Sequence, residues 1–309
     1  MKKMINKVNV SGYLYQHTLE MKESGPKSAN PGTVYITGNV DIATDAAMTN
    51  IVTIHYTYVT ATTKNGKTNA SFNILKDIIE QKLCNVITHG ADKAAILSIG
   101  SAIGLNEFYS DRSGKEELVS AKRNEGGFIS VLSALPDDET KFNSFDVDMV
   151  ITRTLIREAD EEKNLPEKMI LSGCIFDFRN AMLPIDLSVN NPAAISYFDS
   201  LGISQNTPVF TRLQGKVISE VIKTQKVEES AFGQPIVKEY SNTRKDYVIT
   251  WAASEPYEWD SEESITAAEM KKIMEERATY LATVKARQDE YKASQGQAAS
   301  TPAVGGFNF

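Results

Sequence analysis

The feature that most limits what this chain can fold into is a change of hydrophobic period that occurs twice in the same order. Val8, Val10, Gly12 and Leu14 alternate with Asn9, Ser11, Tyr13 and Tyr15. Val34, Ile36, Val40 and Ile42 alternate with Tyr35, Thr37, Asn39 and Asp41, and Val52, Ile54, Tyr56 and Tyr58 with Thr53, His55 and Thr57. A period of two makes strands with one buried face. The period then lengthens, because Phe72, Leu75, Ile78, Ile79 and Leu83 fall at helical spacing and predict a helix from about Ser71 to Lys82. Two further strands follow, Ala95 to Tyr109 and Glu117 to Leu132, the second kinked at Gly126-Gly127.

The same order returns downstream. Strand patterns at Phe145 to Arg157, Lys168 to Arg179 and Met182 to Val189 lead into a short helix, Pro192 to Leu201, which Gly202 stops. Strands at Pro208 to Thr224 and Ile236 to Trp251 complete the second set, with a loop around Phe232-Gly233-Gln234-Pro235 between them. Turn chemistry makes Glu20 to Gly32 a loop and Lys64-Asn65-Gly66-Lys67 a tight turn. Thr266-Ala267-Ala268-Glu269 is a capping box opening a helix to about Ala293. Its apolar stripe, Met270, Ile273, Met274, Leu281, Val284 and Tyr291, is expected to dock on the body of the protein or on another subunit. The chain thus divides into units at 1–135 and 142–254, an acidic linker and amphipathic helix at 255–293, and a small, polar, flexible tail at 294–309.

Five strands with a helix between the third and fourth is the order of the OB-fold, a Greek-key barrel that binds oligonucleotides and oligosaccharides. The expected fold is therefore mainly β, two tandem OB-like five-stranded barrels followed by the C-terminal helix and tail. The first unit also resembles bacterial and phage single-stranded DNA-binding proteins. Asn6-Lys7-Val8-Asn9-Val10-Ser11-Gly12-Tyr13-Leu14 is similar to the family's opening strand. Ile99-Gly100-Ser101-Ala102-Ile103, then Phe108-Tyr109-Ser110-Asp111 and Gly114-Lys115, is similar to its later strand and turn. The second unit shares only the order of elements. The resemblance implies a non-catalytic protein that coats single-stranded DNA in replication or recombination, and the two-unit build points to a phage. The terminal Phe307 and Phe309 resemble that family's partner-binding tip, which implies replication or recombination proteins as further partners. The family's base-stacking tryptophans are absent from the first unit, as are acidic neighbours of the tip.

Aromatic rings on an outer sheet face can stack bases of any sequence. If Val8, Val10 and Leu14 point inward, then Tyr13, Tyr15, Tyr35 and His55 share the outward phase. Phosphates need cations nearby, and the flanking turns supply Lys64, Lys67, Arg112 and Lys115, with Lys122 and Arg123 just beyond. Lys22 and Lys27 lie on the first loop. In the second unit Arg212 and Lys216 are expected outward beside Phe210.

The net charge of −7 argues against a nucleic-acid ligand until its location is considered. Six uncompensated carboxylates lie between Glu255 and Glu269, which leaves −1 for the remainder and allows a basic groove there. Cys84 and Cys174 have no metal-ligand spacing, and both are expected to be buried thiols. No Walker loop, GxSxG or HExxH motif occurs, so neither an enzyme nor a cofactor nor a metal is expected. No apolar run reaches bilayer length, so the expectation is a cytoplasmic protein (host cytoplasm if phage-encoded) that makes no membrane contact and is free to form homo-oligomers. The rival expectation is a β-rich structural or protein-interaction protein, such as a virion component or host-defence antagonist.

Overall fold

The computed structural model describes residues 3–112, 114–160, 166–228, 232, 236–261 and 264–298. The first repeat contains β1 (Asn6–His17), β2 (Glu20–Glu23), β3 (Val34–Ala43), β4 (Ile51–Thr60), α1 (Ala70–Ile79), α2 (Val86–His89), β5 (Ile96–Ser110), β6 (Glu117–Glu125) and β7 (Ile129–Leu132). β1 pairs antiparallel with β3, β3 with β4, β6 with β5 and β5 with β1, while β4 and β6 run parallel. That circuit closes a five-stranded Greek-key barrel of OB type. The second repeat, β8 (Asn143–Arg157), β9 (Lys168–Phe176), β10 (Met182–Val189), α3 (Pro192–Ser200), β11 (Val209–Glu228) and β12 (Ile236–Ala252), closes the same way, with β10 and β12 as its parallel pair.

The helices start where local chemistry allows. The Asn69 side chain accepts from the Ser71 N–H and caps α1, whose Phe72, Leu75 and Ile78 are buried against the first barrel. Asn191 caps α3 in the same manner, with Pro192 in its first turn.

Three elements differ from the sequence expectations. The stretch read as a loop after Glu20 begins with β2, whose four residues are all exposed and, Met21 apart, charged, and which pairs with β3. The strand expected through Leu132 breaks into β6 and β7, because Gly127 crosses so close to the Gly100 carbonyl that a Cβ there would sit 2.1 Å from it. The last helix, α4 (Ala267–Ala298), runs five residues past Ala293 into the segment read as tail. Residues 299–309, including Phe307 and Phe309, lie outside the described residues, as do most of the residues 232–235 loop.

The barrels are joined edge to edge. One edge of β1 pairs with β5 along Val8–Tyr13; the opposite edge pairs with β8 along Asn6–Val10 and with β3 along Tyr13–His17. Gly12 sits at the changeover, where a Cβ would lie 2.0 Å from the Ala43 carbonyl oxygen. Val8 and Val10 are fully buried, and one apolar cluster runs from them through Phe145 and Val147 into the second barrel.

Asparagines fasten the joint. Asn6 Nδ2 donates to the carbonyls of Ile103 and Phe176, one in each barrel, at 2.9 and 3.0 Å. The buried Asn50 accepts from the Ser219 N–H at 2.6 Å and donates to Thr44 Oγ1 and the Val217 carbonyl.

α4 spans the joint within the same chain: Ile273 and Met270 pack into the second-barrel cluster of Val150, Phe176 and Phe210, and the later turns bind the first barrel through polar groups. Only Ile273 of the expected stripe is fully buried, and Met274 and Tyr291 are exposed. The Arg277 guanidinium grips both carboxylate oxygens of Glu107, with the two side chains 9% and 1% exposed. Further along, the Gln288 amide bonds both the N–H and the carbonyl of Tyr109, and Lys285 and Lys292 bond Glu116.

Asn50→Ala leaves the Val217 carbonyl its bond from Asn143 Nδ2 but orphans the buried Ser219 N–H. The substitution should cost about 2 kcal/mol, read as a lower Tm by calorimetry. An unchanged Tm would show that the joint does not depend on this clamp.

Candidate nucleic-acid interface

The outer face of β3 and β4 carries the aromatic groups, arranged differently from strict alternation. Between Ile36 and Gly38 the pairing on β4 moves from Val59 to Tyr56, three residues against two. This bulge turns Thr57 and Tyr58 outward together while Tyr56 stays buried. Tyr58, assigned inward by its sequence phase, is thus 47% exposed and stacks on Tyr35 with ring centroids 4.5 Å apart, tilted 34°. Its hydroxyl lies 3.1 Å from Ser24 Oγ, which ties the pair to the loop between β2 and β3.

Tyr13 and Tyr15 do not join this platform. Tyr13 pairs with Ala43, eight residues from Tyr35 on β3, or roughly 26 Å at about 3.3 Å per residue. Tyr15 lies in a second bulge, between Leu14 and Gln16. Both are half-buried.

Between these ends lies a polar strip. His55 Nδ1 is 2.8 Å from Asn39 Oδ1, and the neighbouring β6 presents Arg123, paired with Glu125 at 2.6 Å. Asn39, His55 and Arg123 border a cleft of about 290 Å³ whose other wall is Val217–Ser219 and Lys245–Tyr247 of the second barrel. Burial, and secondarily the Arg123 charge, holds the His55 pKa below its usual 6.5 against the opposing pull of Glu125. The imidazole is therefore neutral at pH 7, a hydrogen-bonding group rather than a cation.

The cations separate into two groups. Lys64 and Lys67 are exposed on the turn that follows β4, at the Tyr58 end, and Lys27 is exposed on the loop that carries Ser24. Arg112 and Lys115 lie far from them. Because Ile54 pairs with Asn124 on a parallel strand, Glu117 is level with a point ahead of the first residue of β4. The β5–β6 turn thus projects from the opposite end of the barrel, beside α4, where Asp111 and Glu116 engage Lys292. Lys122 bends toward the second barrel, its ammonium donating to the Asp186 carbonyl at 2.9 Å and lying 5.6 Å from the Tyr247 ring centre.

The second barrel corrects two expectations outright. Phe210 is fully buried, because the segment after β12 folds back over it: Tyr257 and Trp259 pack at 4.8 and 5.9 Å, and the Tyr257 N–H bonds the Phe210 carbonyl. Arg212 is held by both oxygens of Asp146, at 2.8 and 2.6 Å, so its charge is already paired within the barrel. Lys216 is exposed as expected. Of the two thiols, Cys174 is buried and pushed up to about 12 by desolvation, whereas Cys84 is half-buried.

A protein-family model described as YorF matches residues 4–287. Among curated proteins, none matches. The wild-type single-stranded DNA binding protein from Thermus aquaticus is similar in structure with a TM-score of 0.45 at 10% identity, over 83% of this chain and 95% of that one. A deletion mutant of the same protein gives 0.46 at 10% identity, over 85% and 100%.

The depressed His55 pKa makes a pH prediction. The unfolded chain takes up this proton more readily than the folded one, so the stabilisation is complete above about pH 6.5 and is lost as pH falls through the lower folded value. Tm should fall between about pH 7.5 and 5.5, and fall less in His55→Gln. Equal slopes in the two proteins would show that His55 does not titrate differently on folding.

Proposed function

We propose, for a chain that belongs to the YorF family, that it is a non-catalytic single-stranded DNA-binding protein serving replication or recombination in the cytoplasm of a phage-infected cell. The observation that carries this reading is the Tyr35–Tyr58 pair, displayed on the second and third strands of an OB barrel. That face is where OB-folds hold oligonucleotides. Bases stack on tyrosine whatever their sequence, at about 1–3 kcal/mol each. Exposed Lys27, Lys64 and Lys67 stand at the same end of the barrel to meet phosphates. No acid–base or nucleophilic step is required of any residue in this reading. Its chemistry is stacking and charge.

The test is a fluorescence titration with oligo-dT across a salt series. Tyr35→Ala with Tyr58→Ala should weaken binding about tenfold or more. Replacing Lys27, Lys64 and Lys67 with Gln should flatten the salt slope by about 2. A folded double tyrosine variant that binds like wild type removes the platform, and a slope unaffected by the lysine changes removes the loops.

A further inference from the structure

On the other side of the joint between the barrels lies a groove of about 980 Å³, at the upper end of the roughly 300–1,000 Å³ typical of ligand sites. Phe128 of the first barrel and Phe178 of the second both line it, and they are 88% and 75% exposed. Tyr280 of α4 adds a third ring, 46% exposed. Phenylalanines this bare serve no core, and two of them facing one groove from separate units form a patch of the kind that marks a binding surface.

The charges around the groove select the occupant. Its carboxylates are already engaged within the protein: Glu107 with Arg277, Glu125 with Arg123, Glu276 with Lys272, and Asp177 with the backbone N–H groups of Arg179 and Ala181. Two cations have no ion pair among the described residues: Lys7, which is exposed, and Arg179, whose guanidinium lies 4.9 Å from the Phe178 ring centre. Exposed rings beside two cations that no carboxylate of the described residues engages suit a ligand that is both anionic and aromatic along its length.

We propose that this groove is a second contact for single-stranded nucleic acid, bases stacking on Phe128 and Phe178 while Lys7 and Arg179 meet the backbone. The proposal rests on the single-strand reading above and extends it to a site formed by both barrels. A strand long enough to occupy both the tyrosine platform and the groove gains affinity from their linkage in one rigid body.

The floor supplies an independent probe. Gly100 lines the groove and a Cβ built on it meets no atom within 4 Å, so Gly100→Gln adds a side chain there with no clash at its root. The experiment compares oligo-dT of about 8 and about 30 nucleotides, one within and one beyond the site size of a single barrel, on wild type, on the Phe128→Ala, Phe178→Ala double variant and on Gly100→Gln. Both variants should bind the longer oligonucleotide about tenfold more weakly and lose most of its advantage over the shorter one. Wild-type affinity for the longer oligonucleotide in both variants overturns the groove and leaves the platform standing. Wild type that binds neither length overturns both readings. Unchanged DNA binding, with self-association lost in sedimentation, assigns the rings to contact between copies and likewise overturns the proposal.

Discussion

β1 gives one edge to β5 and divides the other between β8 and β3, and every later feature inherits that division. A strand whose two edges are both occupied offers no ladder to a foreign chain. Because its inward side chains belong to a core continuous across both barrels, neither barrel can shift without tearing pairings in the other. Asn6 and Asn50 work in the same sense, satisfying backbone groups of one unit with side chains of its neighbour. The two repeats are therefore fixed in mutual orientation by hydrogen-bonded backbone rather than by a linker.

An acidic chain can offer a basic face only if its cations are sorted by task. Arg212, Lys168 and Arg277 are consumed by Asp146, Asp246 and Glu107 in holding elements together. Lys27, Lys64 and Lys67 stay exposed on loops beside the tyrosine pair. Net charge says little about such a protein; the distribution of ion pairs says more.

Much of this was legible in the residues. Alternation located the barrel strands, helical spacing located α1, and Pro192 with Gly202 located α3, because each rests on local physics. Tyr58 was hidden because a bulge adds one residue and reverses the phase of everything beyond it, and no residue type in β4 announces the insertion. Phe210 was hidden for a different reason: its phase does point away from the barrel, but a later segment with Tyr257 and Trp259 returns to cover it. β2 lacked any apolar alternation to betray it, and the bare rings of Phe128 and Phe178 gained meaning only when two distant turns met at one groove.

The attachment of α4 is graded along its length. Near its start the Arg277–Glu107 pair is enclosed and barely feels mobile ions, whereas Lys285 and Lys292 are each 44% exposed where they meet Glu116. Dissolved salt screens the open pairs first, over a Debye length of about 8–10 Å. The far end of the helix is therefore held more firmly in dilute buffer than in brine, with the neutral Gln288–Tyr109 bonds and the enclosed root indifferent to salt.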